Sequence, residues 1–420
     1  MIKVLDCKKK NYISQLNLLL KKRRFGDRTN LTIVNKIIDD IKKKKIKALL
    51  QYEKRYSNNT EIKPSKEKIS KTINSLDPKI KNAIDFAYNR IFKFHSKQKI
   101  KNIKYTDNLN NKLEYKYVPI ESIGIYVPAN LPSTLLMNAI PAKIAKVKRI
   151  VLANPKLNGK LNAAVLYAAK KLKINEIYSM GGVQAISSLA YIQKVNKIVG
   201  PGNIYVASAK KKIFGDVGIE GMIAGPSEIC VVGDKSTSVN EIVTSLIGQA
   251  EHDVNSQSVL ITKDGKLLEN PKKQISKTIK NLPRKKIAEK SLKKNGLLIK
   301  VYSDKQLISV INQIAPEHLE LNINNYKNYL SKIYNVGSVC IGKYSAMAVT
   351  DYNAGTNHVL PTFGSAKYSS GLSLNEFYKK ISHITLSKKG VEKIGEYATH
   401  LAEHEELEGH AQSIRSRMRR

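Results

Sequence analysis

Between about residues 29 and 100 the apolar positions recur at helical spacing, as in Ile33, Ile37, Ile38, Ile41, Ile46 and Leu49, with almost no glycine or proline. This stretch reads as a helical preface. From about residue 116 the pattern shortens to strand-like runs, Tyr117-Val118-Pro119-Ile120 and Ile123-Gly124-Ile125-Tyr126-Val127, and a helix is expected after Pro132-Ser133-Thr134. Arg149-Ile150-Val151-Leu152-Ala153 and Glu176-Ile177-Tyr178-Ser179-Met180 flank a helical stretch from Leu161 to Leu172, and strand, helix, strand at this spacing implies a parallel sheet.

Further strands are expected at Lys197-Ile198-Val199, Glu228-Ile229-Cys230-Val231-Val232 and Ser258-Val259-Leu260-Ile261-Thr262, with helices between them and after Pro271. Two α/β units fit this count. From Lys389 onward Val391, Ile394, Ala398, Leu401 and Ala402 form a helical stripe, which suggests a small helical C-terminal element.

A chain of 420 residues with 42% hydrophobic content has ample material for a core and should divide into two or three globular parts. It contains no run of about 18 apolar residues, and Met1-Ile2-Lys3-Val4-Leu5-Asp6-Cys7 lacks the apolar stretch of a signal peptide, so a cytoplasmic location is expected. The cysteines, Cys7, Cys230 and Cys340, are too few and too scattered for a disulfide framework or a thiolate metal cluster. The net charge of +39 would draw the chain to polyanions. We read it instead as compositional drift. The lysines are spread with abundant Asn, Ile and Tyr, and no aromatic residues are interleaved with the basic runs as nucleic-acid stacking requires.

Chemistry concentrates around four of the eight histidines. Ser238-Val239-Asn240-Glu241 has the spacing of a capping box ahead of a helix running to about His252, which would set Gln249 and His252 three apart and able to converge on one metal. A histidine merely bonded at a helix end fits as well. In Ala315-Pro316-Glu317-His318 the proline suits a first helical turn, whose dipole would keep the histidine neutral beside a carboxylate, giving a base couple or simply a capping pair. Asp351-Tyr352-Asn353-Ala354-Gly355-Thr356-Asn357-His358 reads as a glycine-containing loop around a ligand, or as an ordinary polar turn. Glu405 and His410, five apart, would need a break near Gly409 to share a target. Met180-Gly181-Gly182-Val183-Gln184 and Gly200-Pro201-Gly202-Asn203 each close a strand and open a helix, where backbone N–H groups could meet a phosphate. These residues leave open a zinc enzyme, a zinc hydrolase among them, and a charge-driven nucleic-acid binder.

Seven segments in order sharpen the choice: Gly124-Ile125-Tyr126-Val127-Pro128, Gly181-Gly182-Val183-Gln184-Ala185-Ile186, Gly200-Pro201-Gly202-Asn203, Ala224-Gly225-Pro226-Ser227-Glu228, Gln249-Ala250-Glu251-His252, Pro316-Glu317-His318-Leu319, and Gly355-Thr356-Asn357-His358-Val359-Leu360-Pro361-Thr362. Together they resemble histidinol dehydrogenase nearly end to end. The resemblance implies two Rossmann-like parallel-sheet domains with helical N-terminal and C-terminal extensions: an arm over 1–20, a first α/β domain from 21–125 and 228–371, an NAD-binding α/β domain over 126–227, and a helical C-terminal domain over 372–420. It further implies a zinc-dependent, four-electron oxidation of L-histidinol through L-histidinaldehyde to L-histidine, the last step of histidine biosynthesis, with two NAD⁺ reduced.

By the same resemblance Gln249, His252, Asp351 and His410 hold one Zn²⁺ per subunit. The substrate meets Ser227, Gln249, His252, His318, Asp351, His358, Glu405 and His410, and Glu317 and His318 accept protons. NAD meets Tyr126, Gln184 and Asn203. The protein would be a homodimer whose C-terminal domain brings Glu405 and His410 to the neighbour's site. Only Ala129-Asn130-Leu131 separate Pro128 from Pro132-Ser133, where the family pattern has a Gly-Gly pair and a longer loop.

Overall fold

The computed structural model describes residues 2–25, 31–98, 100–221 and 225–418; readings that fall on residues 1, 26–30, 99, 222–224, 419 and 420, Ala224 of the fourth motif among them, lie outside these. The chain forms two compact units. One runs to Lys97 and resumes from Glu121 to Glu376; the other takes Gln98–Ile120 and the chain from Phe377 onward.

The larger unit holds two parallel sheets, so the α/β reading stands. In the six-stranded sheet the order is Lys3–Asp6, Leu297–Lys300, Gln257–Thr262, Glu228–Gly233, His318–Asn322 and Ser338–Ile341, all neighbours parallel. Strands buried on both faces read as continuous apolar runs, and Leu260, Ile261, Val231 and Val232 are accordingly sealed in. Helices Tyr12–Phe25 and Asp304–Ile314 pack on one face, where Leu16, Leu307, Val310 and Ile311 meet Leu5, Val259 and Leu319. Helices Val239–Ala250, Lys266–Thr278 and Lys285–Asn295 cover the other through Val243, Leu246, Ile275 and Leu292.

The five-stranded sheet has the order Glu176–Tyr178, Arg149–Ala153, Ser122–Tyr126, Lys197–Val199 and Gly218–Ile219, again parallel. Much of the helical preface belongs to its packing. Ile37, Ile38, Ile41 and Leu49 of Leu31–Ser57 are buried in a core with Ile186 and Leu189 of helix Gly182–Tyr191. Ile33 and Ile46 of the same apparent stripe are exposed; Lys45, at φ 49°, breaks the helical register just before Ile46. The short connection after Pro128 is closed by one side chain, since the Asn154 amide donates to the carbonyls of Val127 (3.0 Å), Pro128 (3.2 Å) and Ala129 (3.4 Å).

The smaller unit corrects the picture of a purely helical C-terminal element. Besides helices Lys388–His404 and Glu408–Met418 it contains an antiparallel sheet, Tyr378–Thr385 with Lys112–Pro119 and Ile103–Thr106. Tyr117-Val118-Pro119 therefore belongs to this sheet and not to the α/β region. Among the described residues no helix is long and apolar enough to cross a membrane.

Asn111 ties the smaller unit together. Its Oδ1 accepts from the Ser387 N–H (3.0 Å), while Ser387 caps the following helix by accepting from the Gly390 N–H (2.8 Å). A Cβ on Gly390 would stand 1.9 Å from Asn111 Oδ1. Helix propensity alone makes Gly390→Ala stabilising by roughly 0.5–1 kcal/mol. The clash should reverse the sign to a loss of about 1–3 kcal/mol. Denaturant unfolding of the variant decides between them, and a raised midpoint would refute the contact.

Candidate active site

Glu317 and His318 stand at the start of a strand, which corrects the expected helix start. Helix Asp304–Ile314 ends at Ala315 in the left-handed conformation, Pro316 prevents its continuation, and His318 opens the strand His318–Asn322 between two parallel neighbours. Backbone pairing therefore decides which way Glu317 and His318 face. Glu317 and Glu228 exchange bonds across the sheet edge: the Glu228 N–H donates to Glu317 Oε2 (2.7 Å), and the Glu317 N–H donates to Glu228 Oε2 (3.3 Å). Glu228 in turn accepts from the Phe363 N–H (2.8 Å) and pairs with Arg23, both side chains nearly sealed from solvent at 5% and 3% exposure. The Arg23 guanidinium lies 4.6 Å from the Phe363 ring centroid and donates to the Pro226 carbonyl (2.8 Å).

His318 Nε2 lies 3.9 Å from Glu317 Oε1 and 3.6 Å from Asp351 Oδ1, and its Nδ1 is buried without a hydrogen-bond partner. Burial first, then the His358 and His252 charges, holds its pKa down to about 3, so burial and not a helix dipole keeps the ring neutral. Burial also drives Glu317 well above 4.5, reinforced by the Glu228 and Asp351 charges and opposed by the Glu228 N–H and Arg23. Asp351 is pushed up to about 7 by burial. It belongs to the short helix Met347–Tyr352, so the glycine loop begins only after it. Arg90 holds that loop through the carbonyls of Asn353 (2.6 Å) and Ala354 (3.0 Å). His358 Nδ1 donates to the Asp351 carbonyl (2.6 Å), which fixes Nε2 as the acceptor facing Thr134 Oγ1 at 3.5 Å. Its pKa falls to about 4, chiefly through burial.

Helix Val239–Ala250 ends two residues earlier than expected, and Ser238 is its N-cap residue without a side-chain bond; Glu241 accepts from Asn322 Nδ2 (3.1 Å) instead of completing a box. Gln249 occupies the last turn, buried, with Nε2 lacking a partner. His252 follows in the turn beyond. Its surface is open to solvent, yet protein rings it closely enough that desolvation and then the Arg284 charge lower its pKa. The helix packs on Met347–Tyr352, which carries Asp351. Among the described residues no ready-made cluster of three His, Cys, Asp or Glu ligands is present. Ser227 directly precedes the strand holding Glu228, and its carbonyl accepts from the Gln257 N–H (3.0 Å). Glu405 and His410 are in the smaller unit, both exposed, at the cap of Lys388–His404 and within Glu408–Met418.

Tyr126, Gln184 and Asn203 stand at the carboxyl ends of strands in the five-stranded sheet, where open α/β sheets bind ligands. The Tyr126 hydroxyl accepts from the Gly182 N–H (3.3 Å), and Asn203 caps helix Ile204–Ile213 through the N–H groups of Tyr205 and Val206. A cleft of about 570 Å³ runs from Gly202 and Ile204, on either side of Asn203, to Pro226, next to Ser227. Arg23 and Thr134 carry no mark in the sequence as site residues, because their partners are distant in the chain, and Glu228 is marked only as the end of the fourth motif.

A family model described as histidinol dehydrogenase matches residues 20–418. Over full length on both sides the chain is 58% identical to the histidinol dehydrogenase of Pelagibacter ubique, and it is 39% identical to that of Psychrobacter arcticus over 97% of each. The crystal structure of histidinol dehydrogenase from Elizabethkingia anophelis superposes with a TM-score of 0.92 at 36% identity, covering 100% of this chain and 98% of that one. The chain belongs to the histidinol dehydrogenase family. It is accordingly an oxidoreductase of histidine biosynthesis, and its two parallel sheets are those of that fold.

Arg23→Met leaves Glu228 buried without its cation and should cost about 3–5 kcal/mol in denaturant unfolding; a loss below about 1 kcal/mol, the worth of an exposed pair, would contradict the burial. His318, at about 3 when folded against an ordinary 6.5, binds fewer protons folded than unfolded between those values. Its contribution is therefore present above 6.5 and lost as pH falls through that window. Asp351 acts with the opposite sign, losing stability as pH rises from 3.8 towards 7. In metal-free protein His318→Gln should make the acid-side loss shallower, and superimposable stability profiles would rule out the desolvated ring.

Proposed function

We propose that the chain oxidises L-histidinol to L-histidine in two hydride transfers through an enzyme-held L-histidinaldehyde, using zinc and two NAD⁺. The observation that carries this reading is the buried Glu317, His318 and Asp351 cluster, two carboxylates and a neutral imidazole within 3.9 Å contacts. Alcohol oxidation releases a hydride and a proton. Hydration of the aldehyde adds water, and the second oxidation again releases a hydride and a proton.

His318, neutral at physiological pH, takes the hydroxyl proton at Nε2, and the imidazolium so formed lies between Glu317 and Asp351. Glu317, as the carboxylate, is suited to draw a proton from the water that hydrates the aldehyde, its raised pKa making it the stronger base. Burial of both residues shields the aldehyde from bulk solvent. NAD⁺, when bound, accepts the hydrides. Tyr126, Gln184 and Asn203 would hold it, at the carboxyl ends of strands in the five-stranded sheet.

The residues fit zinc. Gln249 through its amide oxygen, His252 through a ring nitrogen and the desolvated Asp351 through its carboxylate form a set of N and O donors. The first two lie at a helix C-terminus, whose dipole favours a cation. Zinc, when bound, would grip and orient the substrate and lower the charge cost at Asp351. We infer that His410 completes the ligand set and Glu405 the substrate contacts, with Ser227 and His358, from a second copy in a homodimer. The smaller unit supports this: Ile103, Tyr105, Ile381, Ile384, Tyr397 and Leu401 leave apolar surface uncovered. We place the enzyme in the cytoplasm; its three cysteines are free and buried.

Glu317→Gln and His318→Ala should each lower kcat by about 10²–10⁴-fold with a smaller change in KM for histidinol. Steady-state kinetics on zinc-loaded protein tests this, and unchanged kcat in both variants removes the base assignment. Chelation should abolish NADH formation and zinc restore it, while His252→Ala and Asp351→Ala should lose zinc on metal analysis; full metal content in either variant would break the ligand set.

A further inference from the structure

Glu53 lies far from the base couple in sequence and belongs to the helical preface, yet its carboxylate reaches into the turn that opens helix Gly182–Tyr191. It is 1% exposed. Its Oε1 accepts from the Gly181 N–H (2.7 Å) and from Gln184 Nε2 (2.9 Å). The Gly182 N–H is taken by the Tyr126 hydroxyl. Two of the N–H groups at the helix start that the sequence offers to a phosphate are therefore already taken, by an internal carboxylate and a phenol.

This arrangement fixes which way the Gln184 amide faces. Glu53 Oε1 accepts the Gly181 N–H, so it can only accept from Gln184 as well, whether or not the other carboxyl oxygen carries a proton. Gln184 must turn its NH₂ to Glu53 and keep its carbonyl oxygen as an acceptor. That oxygen lies against Gly182, where an added Cβ would be 3.1 Å away, and Gly182 has φ +61°. Only glycine leaves the amide this position without strain.

We propose that Glu53 is a positioning residue of the cofactor site: it orients Gln184 so that a carbonyl oxygen meets a hydrogen-bond donor of the dinucleotide, a ribose hydroxyl or the carboxamide N–H, and it bars a phosphate from this helix end. The inference rests on the reading of Tyr126 and Gln184 as NAD contacts. Glu53→Ala removes the one oxygen that accepts from both Gly181 and Gln184, so the Gln184 amide is free to flip and present NH₂ where the cofactor needs an acceptor.

Calorimetric titration of NAD⁺ into zinc-loaded full-length protein, with steady-state kinetics, tests this. Glu53→Ala should weaken NAD⁺ binding and raise its KM by about tenfold, the worth of one hydrogen bond near a charge. The kcat and the KM for histidinol should stay unchanged. Gly182→Ala, which crowds the same amide from the other side, should do likewise, and decides the matter if Glu53→Ala does not fold. Wild-type affinity in both variants overturns the role of Glu53, as does a parallel fall in histidinol affinity and kcat, the mark of general loosening. A wild-type protein that takes up no NAD⁺ overturns instead the cofactor reading, and the proposal with it.

Discussion

The exchange of backbone and carboxylate bonds between Glu228 and Glu317 is the constraint on which the site depends. Two acids abut at the amino-terminal edge of a parallel sheet, each accepting the other's N–H, and only one has a cation: Arg23 pairs with Glu228. Buried paired charge costs more to assemble than it returns in stability, but removing one partner is more costly still. The arrangement therefore fixes geometry rather than adding stability. Glu228, neutralised by Arg23 and bonded to the Phe363 N–H, is the fixed anion beside which Glu317 finds it harder to ionise. The two acids differ by one guanidinium.

The two sheets present opposite edges. The residues read as cofactor contacts follow strands Ser122–Tyr126, Glu176–Tyr178 and Lys197–Val199, at the carboxyl edge. Ser227, Glu228, Glu317 and His318 stand at the amino edge of the six-stranded sheet, opposite to the usual ligand position in open α/β folds. The reason is visible in helix Val239–Ala250, which returns between parallel strands and so ends, with Gln249 and His252, at their amino edge. A helix C-terminus there gives the edge the polarity for a cation, whereas the N-terminus of Gly182–Tyr191 is closed by Glu53.

Much of this was legible in the residues. The apolar runs at 149–153, 228–232 and 258–262 are strands because both faces of a parallel sheet are buried, and Ile37, Ile38, Ile41 and Leu49 kept their helical stripe because it packs on Ile186 and Leu189. Pro316 misled because proline opens helices and also separates a helix from a strand; the alternation after it, Leu319 and Leu321 around Glu320, was too short to outweigh it. The strand Tyr378–Thr385 escaped because its side chains are mostly exposed and show no core-facing period. Arg23 and Glu53 were invisible for a different reason. Their meaning comes only from partners more than 120 residues away.

The excess of basic residues might be expected to set the chemistry of the site, since a field of +39 would hold every carboxylate ionised. The acids divide otherwise. Asp40, Glu61, Glu176 and Asp216 are lowered where a lysine or arginine touches them directly. Glu53, Glu220, Glu317, Glu320 and Asp351 are raised, with burial the largest cause in each. Glu220 is raised even though Lys210 is bonded to it at 2.6 Å. Screening confines surface charge to about 8 Å in physiological salt, and desolvation acts wherever water is excluded. Surface composition and buried proton equilibria are thus decoupled in this chain, which is why lysines can accumulate on its exterior while the buried acids keep raised pKa values.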